Sequence, residues 1–114
     1  MRVLTGKWAP FTIDSMYWVE YAEGVLEDLN DLRAGDRKRV LDKIDEQLLY
    51  EPTAETRNKK ILRGLKPPWQ HEEPVRELRI GKYRVYYDVN EAEQRVIIRA
   101  LRTKPPHKTT EETL

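Results

Sequence analysis

Residues 75–89 read VRELRIGKYRVYYDV, the stretch that decides the predicted fold. Apolar and polar side chains alternate on both sides of Gly81 and Lys82, as expected for two strands joined by a tight turn. We therefore predict an antiparallel hairpin with strands at 75–80 and 83–89.

A third strand is predicted at 95–102, after a turn at 90–94, which completes a three-stranded meander. Successive residues of a strand point to opposite sides of a sheet. The apolar residues Val96, Ile98 and Ala100 are therefore assigned to the core face of the third strand. The opposite face is predicted to be solvated and receives Glu77, Arg79, Arg84, Tyr86, Asp88, Ile97, Arg99 and Leu101.

Two amphipathic helices are predicted upstream of the hairpin. One begins at Glu23 and ends near Gly35, and the second has Asp36 as its N-cap and stops at Pro52. A connection this short predicts an antiparallel αα-hairpin. The helical spacing of apolar residues assigns the following to the core: Leu26, Leu29, Leu41, Ile44 and Leu48.

An N-terminal strand at 16–21 (MYWVEY) is indicated by its aromatic and β-branched residues. The predicted fold is α+β, with a small antiparallel sheet made of this strand and the C-terminal meander, packed against the αα-hairpin. We expect one domain at 15–104, preceded by an extension at 1–14 and followed by a tail at 105–114.

The composition excludes several classes of site. The chain contains no cysteine, and its two histidines, His71 and His107, lie far apart in sequence, so we expect no metal and no cofactor. We find no apolar run long enough for a signal peptide or a membrane span, and we therefore expect a soluble cytoplasmic protein.

The charge is divided unevenly along the chain, although the formal net charge is only +1. Residues 1–56 carry 7 basic and 12 acidic side chains, whereas residues 57–114 carry 14 basic and 8 acidic side chains. Arginines beside a tyrosine on the outer sheet face suit RNA, because guanidinium groups pair with phosphates and an aromatic ring stacks on bases. The same composition also fits a solvated face whose arginines pair with Glu77 and Asp88.

The order strand, helix, helix and three strands resembles that of the RelE/ParE superfamily of bacterial toxins. The resemblance rests on LRGLKPPW at 62–69, LRIGKYRVYYDV at 78–89 and VIIRALRTK at 96–104. It implies a small toxin that is held inactive by a cognate antitoxin in a hetero-oligomer. RelE-branch members cut mRNA on the ribosome, whereas ParE-branch members poison DNA gyrase without being nucleases.

The resemblance also implies site residues. It places the catalytic arginine of the family on Arg84 and a second basic residue on Arg79. A third basic residue, expected after the last strand, corresponds to Arg102 or Lys104. Arginine is a poor proton donor or acceptor because its pKa exceeds about 12, so we assign proton transfer to His107, for which a solvent-exposed tail histidine is the alternative.

Several further residues are predicted to bind RNA. Besides Arg99 and Tyr86 on the outer face, a basic stretch before the meander offers side chains to phosphates, although a merely solvated loop is the alternative. Trp69 follows two prolines and is interpreted either as a lid on the sheet or as a base-stacking residue. The predicted RNA-binding residues are Tyr86, Arg99, Lys104, Lys59, Lys60 and Arg63.

Two departures from the RelE pattern keep three functions open. Glu77 stands where some RelE-type nucleases carry a basic residue, and no tyrosine follows Tyr87. Because Arg79, Arg84 and Arg102 are all present, the chain is interpreted as a ribosome-dependent mRNA endoribonuclease, with a gyrase poison and a catalytically inactive antitoxin-binding module as alternatives. The first interpretation implies the ribosome and mRNA as partners and no membrane.

Overall fold

The computed structural model describes residues 16–104 and Leu114. Within them, five strands form one sheet in the order β1-β5-β4-β3-β2, and two helices pack on one of its faces. This arrangement confirms the predicted α+β fold. The elements are β1 (Trp18–Tyr21), α1 (Glu23–Asn30), α2 (Ala34–Leu48), β2 (Lys59–Leu62), β3 (Val75–Ile80), β4 (Tyr83–Asn90) and β5 (Arg95–Thr103).

The sheet is mixed rather than wholly antiparallel. β1 runs parallel to β5, with Val19 opposite Val96 and Tyr21 opposite Ile98. A parallel pair needs a long connection between its strands, and here both helices and three strands lie between them. The antiparallel prediction is therefore wrong for β1 and correct for the meander.

β2 is a strand in the basic stretch before the meander, where no strand was predicted. It pairs antiparallel with β3 and forms the second edge of the sheet. Its first inward position is Lys59, whose ammonium donates to the carbonyls of Gln47 at 2.9 Å and Glu51 at 2.7 Å. A buried lysine at an inward position removes the apolar alternation by which strands are recognised, so the sequence pattern missed this one.

The helices are divided earlier than predicted. α1 ends at Asn30 and α2 begins at Ala34, so Gly35 and Asp36 lie in the first turn of α2 instead of ending one helix and capping the next. Arg37 fixes the break, because its guanidinium donates to the carbonyls of Leu29, Asn30 and Leu32 at the end of α1. Neither of these two helices is long and apolar enough to cross a membrane.

The core lies between the helices and the inner face of the sheet. Leu26 was predicted to be a core residue, but it is 51% exposed, because Val25 and Leu29 occupy the inward positions of the short helix α1. The core cluster consists of Val25, Leu29, Val40, Ile44, Leu48, Leu78, Ile80, Tyr83, Val85, Tyr87, Val96, Ile98 and Leu101.

A β-bulge interrupts the pairing of β4 with β5. Tyr87 lies opposite Ile98 and Tyr86 lies opposite Ala100, so Arg99 is an extra residue on β5. A bulge of this kind shifts the alternation of the strand that carries it.

The bulge reverses the inward and outward positions at the end of β5. Leu101 joins the core and Ala100 lies opposite Tyr86 on the outer face, so the faces predicted for these two residues are wrong. Arg102 is brought to the outer face, directly opposite Arg84. Strict alternation from Val96 would have turned Arg102 toward the helices.

Candidate nucleic-acid interface

Three arginines on adjacent strands share one register position of the sheet. Arg79 of β3 lies opposite Arg84 of β4, and Arg84 lies opposite Arg102 of β5. Because neighbouring strands are about 4.8 Å apart, this arginine row spans about 10 Å. The three residues to which the resemblance assigned catalysis are thus brought together on one face.

Carboxylates flank the two ends of the arginine row. Arg79 Nε lies 3.2 Å from Glu77 Oε1, and Arg102 Nη1 lies 3.6 Å from Asp28 Oδ2 of α1. Both arginine side chains remain 35% exposed. The Asp28 carboxylate is exposed as well, so the Arg102–Asp28 pair contributes little to stability, whereas the Glu77 carboxylate is fully buried.

Arg84, at the centre of the arginine row, contacts the hairpin backbone instead of a carboxylate. Its Nη1 donates to the carbonyls of Gly81 at 2.7 Å and Tyr83 at 2.9 Å. Its Nε is buried and makes no hydrogen bond to the part of the chain that the structure describes. Like charges placed directly opposite in a sheet are destabilising, so the packing of the fold gives no reason for such a row.

The part of the outer face around Tyr86 and Asp88 is covered, and the prediction that it is solvated is wrong there. Tyr86 and Glu77 are fully buried and Asp88 is 2% exposed. Residues 63–74, here called the covering loop, lie over this region, with the ring centroid of Trp69 5.1 Å from that of Tyr86.

Asp88 holds both the covering loop and the bulge. The Glu72 backbone N–H donates to Asp88 Oδ2 at 2.9 Å, and Arg99 Nε donates to the same oxygen at 2.7 Å. Burial raises the pKa of the Asp88 carboxyl, and the hydrogen bond from Arg99 opposes that rise. Arg99, which was predicted to bind RNA, forms the ion pair with Asp88 that the alternative interpretation expected.

Tyr86, the predicted base-stacking residue, has its ring covered by Trp69. Burial is the largest cause of a raised pKa for the Tyr86 phenol, and the nearby Glu77 carboxylate raises it further. Trp69 also lies under the Arg102 guanidinium, which is 5.2 Å from the indole centroid. Trp69 therefore acts as a lid on Tyr86 and reaches the arginine row.

The basic stretch before the meander contains both buried and exposed side chains. Lys59 is 3% exposed and its ammonium is occupied by two carbonyls; burial lowers its pKa. Lys60 is exposed on the outer face opposite Glu77, and Arg63 is exposed where the covering loop begins. Of these three predicted RNA contacts, only Lys60 and Arg63 are open to a ligand.

Lys104 follows β5 next to the arginine row. Its backbone N–H donates to the Lys82 carbonyl of the β3–β4 turn at 2.8 Å, which places two lysines at the tip of the hairpin. His107, predicted to transfer protons, lies outside the described residues.

Asp28 and Arg39 are residues that the sequence prediction missed. Asp28 reaches Arg102 from α1, and the Arg39 guanidinium of α2 lies 6.0 Å from the ring centroid of Tyr83, beside the hairpin turn. Both occupy outward helical positions, where charged residues are ordinary, so no sequence signal marked them.

The arrangement of strands and arginines can be compared with known proteins. A family model described as the ParE toxin of the type II toxin–antitoxin system parDE matches residues 19–104. The chain belongs to the RelE/ParE toxin superfamily. It is therefore a type II toxin–antitoxin toxin of this superfamily, and the family expected from the hairpin is confirmed.

Solved structures of the RelE/ParE superfamily share the fold. The archaeal RelE–RelB complex from Pyrococcus horikoshii matches with a TM-score of 0.63 and 27% identity, over 82% of this chain and 99% of that chain. The RelBE2 complex from Mycobacterium tuberculosis matches with a TM-score of 0.62 and 23% identity, over 78% and 92%. Isolated Escherichia coli RelE matches with a TM-score of 0.58 and 20% identity, over 81% and 88%. No curated protein matches the chain significantly.

Proposed function

We propose that this toxin is a ribosome-dependent mRNA endoribonuclease whose site is centred on the arginine row. The observation that carries the proposal is the placement of Arg79, Arg84 and Arg102 opposite one another on three adjacent strands. Three cations at one register position are unfavourable for the folded protein alone, and a bound phosphodiester would relieve their repulsion.

The chemistry of RNA cleavage explains what the arginine row would do. Attack of the ribose 2′-hydroxyl on the adjacent phosphorus builds negative charge on the phosphate oxygens as the 5′-oxygen departs. Preorganised cations stabilise such a transition state more than the ground state, and this is commonly the largest single contribution to catalysis. Arg84 would contact the reacting phosphate, with Arg79 and Arg102 on either side.

Proton transfer needs a different residue, because arginine keeps its proton at neutral pH. A base must accept the proton of the 2′-hydroxyl, and an acid must donate one to the departing oxygen. We retain His107 for this role, since an imidazole titrates in the right range. A His107→Gln variant that cleaves RNA as fast as the parent would remove this assignment.

The RNA-binding assignment is narrower than the sequence prediction. Lys60, Arg63 and Lys104 are proposed to contact phosphates, because they lie at the surface beside the outer face or the tip of the hairpin. Tyr86 and Arg99 are not included among the proposed RNA contacts. Trp69 of the covering loop packs on the Tyr86 ring, and the Arg99 guanidinium donates to Asp88.

We further propose that an antitoxin inhibits this toxin by forming a hetero-oligomer with it. Two of the matching solved structures are toxin–antitoxin complexes, from Pyrococcus horikoshii and Mycobacterium tuberculosis. An acidic antitoxin segment would compensate the arginine row in the absence of RNA.

A second candidate function is a DNA gyrase poison. It is favoured by the description of the matching family model, which is that of a ParE toxin. A gyrase poison does not cleave RNA, so this function does not require the arginine row as a catalytic site, whereas the nuclease function does.

The deciding experiment maps RNA ends in cells that express the full chain. Primer extension should reveal new 5′ ends within codons soon after induction, and Arg84→Ala should abolish them. Arg95→Ala is the matched control: Arg95 lies at the other end of β5, and its side chain is 37% exposed. Circular dichroism of each purified variant reports that it is folded.

Two other outcomes would replace the proposal. Growth arrest without new RNA ends, accompanied by cleaved DNA in a gyrase supercoiling assay, would establish the gyrase candidate. Absence of any growth defect, with the antitoxin still bound, would leave an inactive binding module.

A further inference from the structure

A basic groove lies between α2 and the end of the β3–β4 hairpin. Its volume is about 450 Å³, within the range of pockets that hold small ligands. The residues that line it include the basic residues Arg39, Lys43, Arg79 and Arg84, and no acidic residue.

Within residues 16–104, two of these four cations have a carboxylate partner. Lys43 Nζ lies 2.9 Å from Glu46 Oε2 on the exposed surface of α2, and Arg79 pairs with Glu77. Among the residues that the structure describes, no acidic side chain forms an ion pair with Arg39 or Arg84. The described part of the chain therefore leaves the positive charge of Arg39 and Arg84 in the groove without a neutralising carboxylate.

The backbone of the hairpin turn shapes one wall of the groove. Gly81 has a φ of +57°, and a Cβ built there would lie 3.3 Å from an Arg39 guanidinium nitrogen. The absence of a side chain at Gly81 thus lets the Arg39 guanidinium pack closely against the turn. Arg84 contacts the same turn, because its guanidinium donates to the Gly81 carbonyl. Gln47 and Asn58 add amide side chains to the lining.

The basic groove is continuous with the arginine row, because Arg79 and Arg84 belong to both. We propose that the groove binds the sugar–phosphate backbone of single-stranded RNA beside the phosphate held by the row. This inference rests on the proposed function, and it assigns Arg39 and Lys43 of α2 to substrate binding rather than to a solvated helix surface. A polyanion leaving the row would cross the hairpin end and follow the groove along α2.

The test measures how RNA binding depends on salt. The full chain, separated from its antitoxin, is titrated into a fluorescently labelled, 2′-O-methylated single-stranded RNA, which cannot be cleaved by attack of the 2′-hydroxyl. Each phosphate contact contributes about 0.7 to the slope of log K against log salt for single strands. The double variant Arg39→Gln, Lys43→Gln should therefore reduce the slope by about 1.4.

The control removes two charges from α2 and its N-cap, outside the groove. Arg33→Gln, Lys38→Gln should leave the slope unchanged, since neither residue lines the groove. Equal slopes for both double variants would overturn the inference. So would a groove variant that loses binding to a polyglutamate peptide but keeps the RNA slope of the parent, because the groove would then fit an acidic protein segment.

Failure of the groove and failure of the nuclease are distinguishable. If the parent cleaves mRNA in cells while the groove variant has an unchanged slope, the proposed function stands and the groove inference falls. If the salt dependence of RNA binding is weaker in the groove variant while the parent produces no new RNA ends, the groove binds RNA and the nuclease proposal falls.

Discussion

At one end of the outer sheet face, Arg99 and Asp88 form a buried ion pair at 2.7 Å, whereas at the other end Arg79, Arg84 and Arg102 lie side by side. The covered end follows the usual rule that buried charges are paired and hydrogen-bonded. The open end places like charges opposite one another, which costs stability. The contrast shows that strand register alone does not determine which arginines a ligand can contact. The covering loop also matters, because it buries one end of the face and leaves the other accessible.

The largest effect is expected from breaking the ion pair at the covered end. Arg99→Ala leaves the Asp88 carboxylate buried without its cation, and removing one partner of a buried pair costs about 3–5 kcal/mol. Urea unfolding followed by circular dichroism measures the loss. Arg95→Ala, on the same strand but in exposed ion pairs, should cost less than about 1 kcal/mol.

The loss of unfolding free energy caused by Arg99→Ala should depend on pH in a defined direction. The pKa of Asp88 in the folded protein lies above its ordinary value of 3.8, and losing Arg99 raises it further. A raised carboxyl pKa contributes stability below the unfolded pKa, and this contribution is lost as pH rises through the folded pKa. The gap between variant and parent should therefore be small below pH 3.8 and largest near neutrality; a constant gap would show that the carboxylate is not the cause.

The sequence predicted the meander well because local rules govern it. Gly81 takes the positive φ that the tight turn requires, and alternation places Leu78, Val85 and Tyr87 on the core face. The face of Arg102 could not be predicted in this way. It depends on the bulge at Arg99, which Asp88 on the neighbouring strand accommodates, and a single-strand pattern contains no such information.

The covering loop was also beyond sequence reasoning. Trp69 and Glu72 lie over the outer face through a ring contact and one backbone hydrogen bond, neither of which leaves a periodic signal. The three arginines were identified by resemblance, and their common register emerged only from the pairing of three strands.

The next prediction distinguishes a structural from an RNA-binding role for two neighbouring lysines of β2, both of which were predicted from the sequence to bind RNA. Lys59→Met removes the ammonium that donates to the carbonyls of Gln47 and Glu51. We therefore expect a loss of about 1–3 kcal/mol in unfolding free energy and an unchanged salt slope for RNA binding. Lys60→Gln should do the reverse, lowering the slope by about 0.7 while stability stays within about 0.5 kcal/mol. If both variants lose only RNA affinity, Lys59 is not the structural residue that its burial indicates.

A smaller effect is expected from opening the covered end. Trp69→Ala removes the ring contact with Tyr86 and the cation–π contact with Arg102, together worth about 1–2 kcal/mol. It also exposes the Tyr86 phenol, so its pKa should fall toward the ordinary value of 10.0. Ultraviolet titration of tyrosine ionisation measures this shift. Trp18→Ala, at a residue that is 50% exposed on β1, should leave the titration unchanged.

The smallest effect tests whether the arginine row lowers stability through its charge. Arg84→Gln and Arg84→Lys both lose the guanidinium that donates to Gly81 and Tyr83, but only the lysine keeps the positive charge between Arg79 and Arg102. At low salt the glutamine variant should be more stable by about 0.2–1 kcal/mol, the size of a cross-strand charge effect. The difference should shrink in 1 M salt, where the Debye length is about 3 Å. A lysine variant as stable as the glutamine variant at low salt would mean that the row is already neutralised by its flanking carboxylates, and the open end would then resemble the covered one.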